Sequence, residues 1–124
     1  MRWTAFFLIV AGCSSQPEWL PVENSPGKAV HVALKKEGGL VRATLRTVAE
    51  KTPGKSPTYS TYIVMLVNCQ EKSVSQVSHE FVDDALGRTV FKNEMPKRFD
   101  RWTNWDTSVP RRACDHVVDG RPWA

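Results

Sequence analysis

Six residues in the C-terminal third have the types and spacing to do chemistry. They are Arg98, Arg101, Trp102, Trp105, Arg111 and Arg112, with Lys97, Phe99, Arg121 and Trp123 around them. A guanidinium presents a rigid fork of donors to a carboxylate, sulfate or phosphate. An indole offers a flat apolar face, and Arg and Trp are the side chains that most often dominate binding surfaces. The segment therefore suits recognition of an anionic or glycoprotein ligand. The same residues also suit a bland role, with the tryptophans filling the core and the arginines forming a solvated rim. Trp105 is expected to pack against a disulfide.

Other groups invite catalytic or metal readings, and their spacing argues against both. Cys69 or Cys114 can be drawn with His79 or His116 as a thiol–imidazole pair, but cysteines of an exported chain are mostly bridged. Asp83 and Asp84 are adjacent and would point to opposite faces of a strand, so a solvated turn suits them better than an acid–base pair. His31, His79 and His116, with Asp115, lie in separate elements without the spacing of a zinc site. Gly-x-Ser-x-Gly, His-Glu-x-x-His and a phosphate loop are all missing. The expectation is a non-enzymatic chain with no catalytic residue, metal or cofactor.

The N-terminus reads as an address. Met1-Arg2 supplies one positive charge, and Trp3 to Val10 is an apolar run too short to span a bilayer. Ala11-Gly12-Cys13 follows, and Val10-Ala11-Gly12-Cys13 resembles a bacterial lipobox. Residues 1–12 are thus expected to be a lipoprotein signal peptide, with Cys13 the lipidated first residue of the mature chain. An ordinary secretory signal that leaves Cys13 free is the alternative. Several acyl chains on one cysteine make anchoring stable, at about 0.8 kcal/mol per buried methylene. In similar lipoproteins Asp at the next position marks inner-membrane retention, so Ser14 points to the outer membrane. Residues 13–27, with Pro17, Pro21 and Pro26, read as an extended tether. Within it Trp19-Leu20 is expected to dock on the domain edge or to enter the membrane interface.

The chain has 124 residues, 41% hydrophobic and 24% charged, which suits one globular domain over residues 28–124. The formal charge of +4 is mild. If lipid uses Cys13, then Cys69 and Cys114 remain as a pair in an oxidising compartment. Nucleic acid would be the partner of a basic aromatic segment in the cytosol. Export directs attention to lipopolysaccharide phosphates, peptidoglycan carboxylates and acidic or sulfated glycans. Oligomeric state is left open.

The elements that must position these residues are mostly strands. Tyr59 to Cys69 has no charge, Gly or Pro and predicts a central strand buried on both faces. Lys28–Lys35 alternates, with Val30, Val32 and Leu34 on one face and His31 and Ala33 on the other. Gly38-Gly39 makes a turn into Leu40–Val48, where Val41, Ala43 and Leu45 face the core and Arg42, Thr44 and Arg46 face water. Glu50–Pro57 reads as a loop. Val74–Asp83 returns with Val77, His79 and Phe81 opposed to Gln76, Ser78 and Glu80. A turn at Gly87 leads into a strand over Thr89–Lys92. From Asn93 the pattern lapses. Ser108 is the expected N-cap of a short helix through Cys114, with Pro110 in its first turn. The fold class is mainly β (α+β): a small meandering antiparallel sheet with a short C-terminal helix stapled by one disulfide.

With these residues in place the chain resembles a known family. A strand ends in Val67-Asn68-Cys69, a returning strand runs from Phe81 to a turn at Gly87, and Trp105 precedes Ser108, Pro110 and Cys114. Together with the early Gly-bearing hairpin, this looks like the surface-adhesin protein E-like domain of Gram-negative lipoproteins, over about residues 28–117. The resemblance implies a lipid-anchored antiparallel sheet with one disulfide. The named member binds host extracellular-matrix and serum glycoproteins, while most relatives are small envelope proteins without known activity. Two roles follow: an adhesin-like binding module on the outer membrane, or a periplasm-facing structural lipoprotein that contacts an envelope protein or the cell wall.

Overall fold

Alternation of β-branched and polar residues builds the centre of the molecule. A computed structural model describes residues 17–25, 28–49 and 59–123. Strand β2 (Lys28–Glu37) turns through Gly38, at φ 59°, into β3 (Leu40–Ala49), and the two pair in register along their whole length. β4 (Tyr59–Asn68) pairs with β3, and β5 (Ser73–Asp83) pairs with β4. β6 (Arg88–Glu94) closes the path. The sheet is antiparallel, with strand order β1-β2-β3-β4-β5-β6, where β1 is Leu20–Ser25, and a two-residue β7 (Asp100–Arg101) adds to the other half of β5. The mainly β class, the meander and the disulfide are as expected.

Cross-strand partners point to the same side of a sheet. One face, here the front, carries Val30, Val32 and Leu34 of β2, then Val41, Ala43 and Leu45 of β3. It continues with Ile63, Met65 and Val67 of β4 and Val74 of β5. Val32, Val41, Ala43 and Val67 are sealed from solvent. The cover is α1 (Val109–Val117), whose buried Pro110, Ala113 and Cys114 recur at the 3–4 residue spacing of one helical face. Ser108 caps it: its Oγ accepts from Arg111 N–H at 3.2 Å and donates to the Trp105 carbonyl at 2.8 Å. A single 3-10 turn at Trp105–Thr107 leads in. The Cys69–Cys114 bond, with Cα atoms 5.9 Å apart, fixes α1 to the end of β4.

Four expectations are corrected. Part of the expected tether over residues 13–27 is ordered: Leu20–Ser25 forms β1, an edge strand on β2. Pro21 sits beside a register shift, the place where a strand tolerates a missing N–H. Second, β4 is central, but it is buried on both faces only over Met65–Val67; of the rest only Ser60, on the back, is fully covered. Third, a bulge at Val77 puts Gln76 opposite Met65 on the front face, while Ser78 stays opposite Val64 on the back. Fourth, the back of β3 does not simply face water. Trp19 lies there, with the Arg46 guanidinium 4.5 Å from its ring centroid and Tyr62 edge-on at 6.3 Å. Trp19 and Leu20 thus dock on the sheet, with Leu20 against the core. The strand limits also widen, to Ser73 and to Arg88–Glu94, and α1 runs three residues past Cys114. Cys13, the signal peptide and the loop over Glu50–Pro57 lie outside the described residues.

Candidate functional site: a basic cleft beside Trp102

The segment after β6 is shaped by backbone bonds rather than by periodicity. Met95 N–H donates to Val77 O at 3.0 Å and ends β6. Arg98 N–H donates to Ser75 Oγ at 2.7 Å. β7 then pairs Asp100 with Val74 and Arg101 with Ser73, and Trp102 N–H donates to Lys72 O at 2.9 Å. Residues 95–103 therefore leave the edge of β5 and rejoin it further along. Between them and the front face lies a cleft of about 640 Å³. Met65, Val74 and Gln76 floor it, and Met95, Pro96, Arg98, Asp100, Arg101 and Trp102 wall it. A second cavity of about 460 Å³ continues over Leu45 and Ile63 to Val109 and Pro110, sharing Met65, Trp102 and Thr103 with the first. Trp102, 39% exposed, stands between the two.

Three of the six expected ligand residues meet here. Arg98, Arg101 and Trp102 line the cleft, and neither arginine is in an ion pair among the described residues. Asp100 lines the same cleft and brings one opposite charge to it. The other three lie elsewhere. Trp105 is half-buried against the core beside the disulfide, as expected of a packing residue. Arg111 is held by Asp106 at 3.7 Å and Asp115 at 3.5 Å. Arg112 stacks 4.1 Å from the Trp123 ring centroid and donates to the Trp123 carbonyl at 3.3 Å. The apolar floor of Met65 and Val74, and the Met95-Pro96 wall, were not singled out from sequence. Their one signal was the lapse of strand pattern after Asn93.

The remaining chemical groups are dispersed over the fold. Asp83 Oδ1 accepts from Ala85 and Leu86 N–H at 3.0 and 3.2 Å, and Asp84 Oδ2 accepts from Ser60 Oγ at 2.7 Å. The pair builds the β5–β6 turn. His116 Nδ1 lies 2.7 Å from Arg121 O, His79 is on the front face and His31 is on the back. Among the described residues no cluster of three His, Cys, Asp or Glu has metal-site spacing. On the back face Glu37 accepts from Arg42 at 2.6 and 3.2 Å. That hydrogen bond holds the Glu37 carboxyl below the usual carboxylate range; desolvation opposes it, and the charges of Arg42, Lys35 and Lys97 reinforce it. The same pair raises Arg42.

Among the described residues no helix is long and apolar enough to cross a membrane. Comparison with protein-family models, with curated proteins and with solved structures gives no match.

Proposed function

We propose that this chain is an outer-membrane lipoprotein whose sheet carries a non-catalytic, adhesin-like binding module for an anionic ligand. One observation carries the reading: Arg98, Arg101 and Trp102 converge on a cleft with an apolar floor. Such a cleft supplies two guanidinium forks for acidic groups and an indole face for a ring or chain. Sulfated or carboxylated glycans present both features and are available outside the cell. The Cys13 lipobox and the resemblance to adhesin lipoproteins support the location.

Titration of the full chain with heparin, a sulfated glycan, tests the module. Binding is expected, weakening as salt rises. Arg98→Ala with Arg101→Ala should reduce affinity at least tenfold without loss of fold, because both side chains are exposed. Equal affinity in the double variant would overturn the assignment to this cleft. Intact mass of protein from native membranes tests the anchor, through acylation at Cys13.

A further inference from the structure

The outer edge of β6 is complementary to itself, and we propose that it is an interface between two copies of this chain. The β5–β6 hairpin concentrates exposed apolar surface. Leu86 is 63% exposed, Val90 57%, Phe91 56% and Phe81 38%, and Tyr59 stacks on Phe81 with centroids 5.7 Å apart. Phe81 and Phe91 are cross-strand partners on the front face. An apolar strip ending at an open strand edge is a template for another strand.

The register follows from β6 itself. Met95 N–H points inward to Val77 O. Backbone groups alternate along a strand, so Asn93 also points inward while Lys92 and Glu94 direct their N–H and C=O outward. Antiparallel pairing of two β6 strands about Asn93 places Lys92 opposite Glu94 of the second copy, and Glu94 opposite its Lys92. Both residues lie on the back face, since Lys92 partners Glu80 and Glu94 partners Ser78. On the front face Phe91 meets Met95 of the second copy, twice. A lysine on an edge usually repels a wrong strand. Here the register gives it an opposite charge instead.

Within one chain Lys92 and Glu94 are 3.5 Å apart and largely exposed, at 49% and 75%. An exposed pair of this kind contributes little on its own. Exchanging the two intrachain pairs, one per copy, for two interchain pairs therefore sets register, while cover for Phe91 and Met95 supplies the attraction. The bulge at Val90, between the Phe91 and Thr89 pairings, bounds the paired run. The result is a continuous sheet across a twofold axis, with the aromatic strips of both copies adjoining.

Charge reversal gives a test that does not depend on the anionic-ligand reading or on lipidation. The full chain carrying Cys13→Ser is followed by sedimentation velocity across a concentration series. The parent should show reversible dimers. Lys92→Glu alone sets Glu against Glu, and Glu94→Lys alone sets Lys against Lys, so each should weaken association at least tenfold. An equimolar mixture of the two should recover dimers, because both cross-chain pairs are then opposite in sign. Asn93→Cys should cross-link to itself on mild oxidation while Thr89→Cys does not. A parent that stays monomeric throughout, single reversals that associate like the parent, or failure of Asn93→Cys to cross-link would overturn the proposal.

Discussion

Cutting the Cys69–Cys114 bond should cost this domain a large share of its stability. The bond spans 45 residues and encloses β5, β6, β7 and the way into α1. Loop-closure entropy for that length comes to about 4 kcal/mol. Domains of this size are stable by about 5–15 kcal/mol in total. Roughly 100 ordered residues unfold with about 2.1 cal/mol/K each, so a loss of 4 kcal/mol lowers Tm by about 20 °C. The substitution Cys69→Ala with Cys114→Ala tests this, since alanine keeps buried position 114 small and apolar. Thermal unfolding by far-UV circular dichroism reads Tm, and amide exchange reads where the loss falls. Exchange should rise first in α1, because its cover of Val41 and Ala43 depends on staying docked. Reduction of the parent should give the same Tm as the double variant. A fall below about 5 °C, or a rise in exchange spread evenly over β2–β4, would refute the reasoning.

Three further outcomes follow from the same packing. Ser108→Ala removes an N-cap that both accepts and donates, and should cost about 1 kcal/mol in a urea titration, with Ser108→Asp recovering most of it. Ala113→Leu adds bulk where α1 has no free surface and should destabilise by about 1–3 kcal/mol in the same titration. Glu37 is held below its ordinary pKa of 4.5, so its pairing with Arg42 stabilises the fold above that pH and fades as pH falls through the lowered value. Unfolding of Arg42→Gln and parent should therefore differ at neutral pH and converge in acid.

The fold was legible where local pattern and tertiary demand agree. The Val30-Val32-Leu34 and Val41-Ala43-Leu45 alternations placed the core face correctly, and Ser108-Val109-Pro110 located the start of α1. β1 was hidden because Pro21 and the polar Glu23-Asn24-Ser25 leave only Leu20 and Val22 to alternate; its order comes from pairing with β2. The Gln76 side chain was placed on the wrong face because a bulge at Val77 changes parity without any Gly or Pro to announce it. The cleft was half legible. Arg98, Arg101 and Trp102 were marked by type, but their convergence depends on contacts made at a distance, at Ser75, Val77 and Lys72. Arg111 and Arg112 have the same residue type and went elsewhere, because Asp106, Asp115 and Trp123 lay within reach.

The Trp123 indole N–H donates to Pro21 O at 2.6 Å, so the last described residue meets the strand that opens the described chain. Both ends of the described chain thus share the β1 margin, while the basic cleft and β6 occupy the opposite margin. At about 4.8 Å per strand, five spacings separate β1 from β6 by roughly 24 Å. The molecule accordingly has polarity. One margin gathers the two ends of the described chain, and the other offers the cleft and the β6 edge.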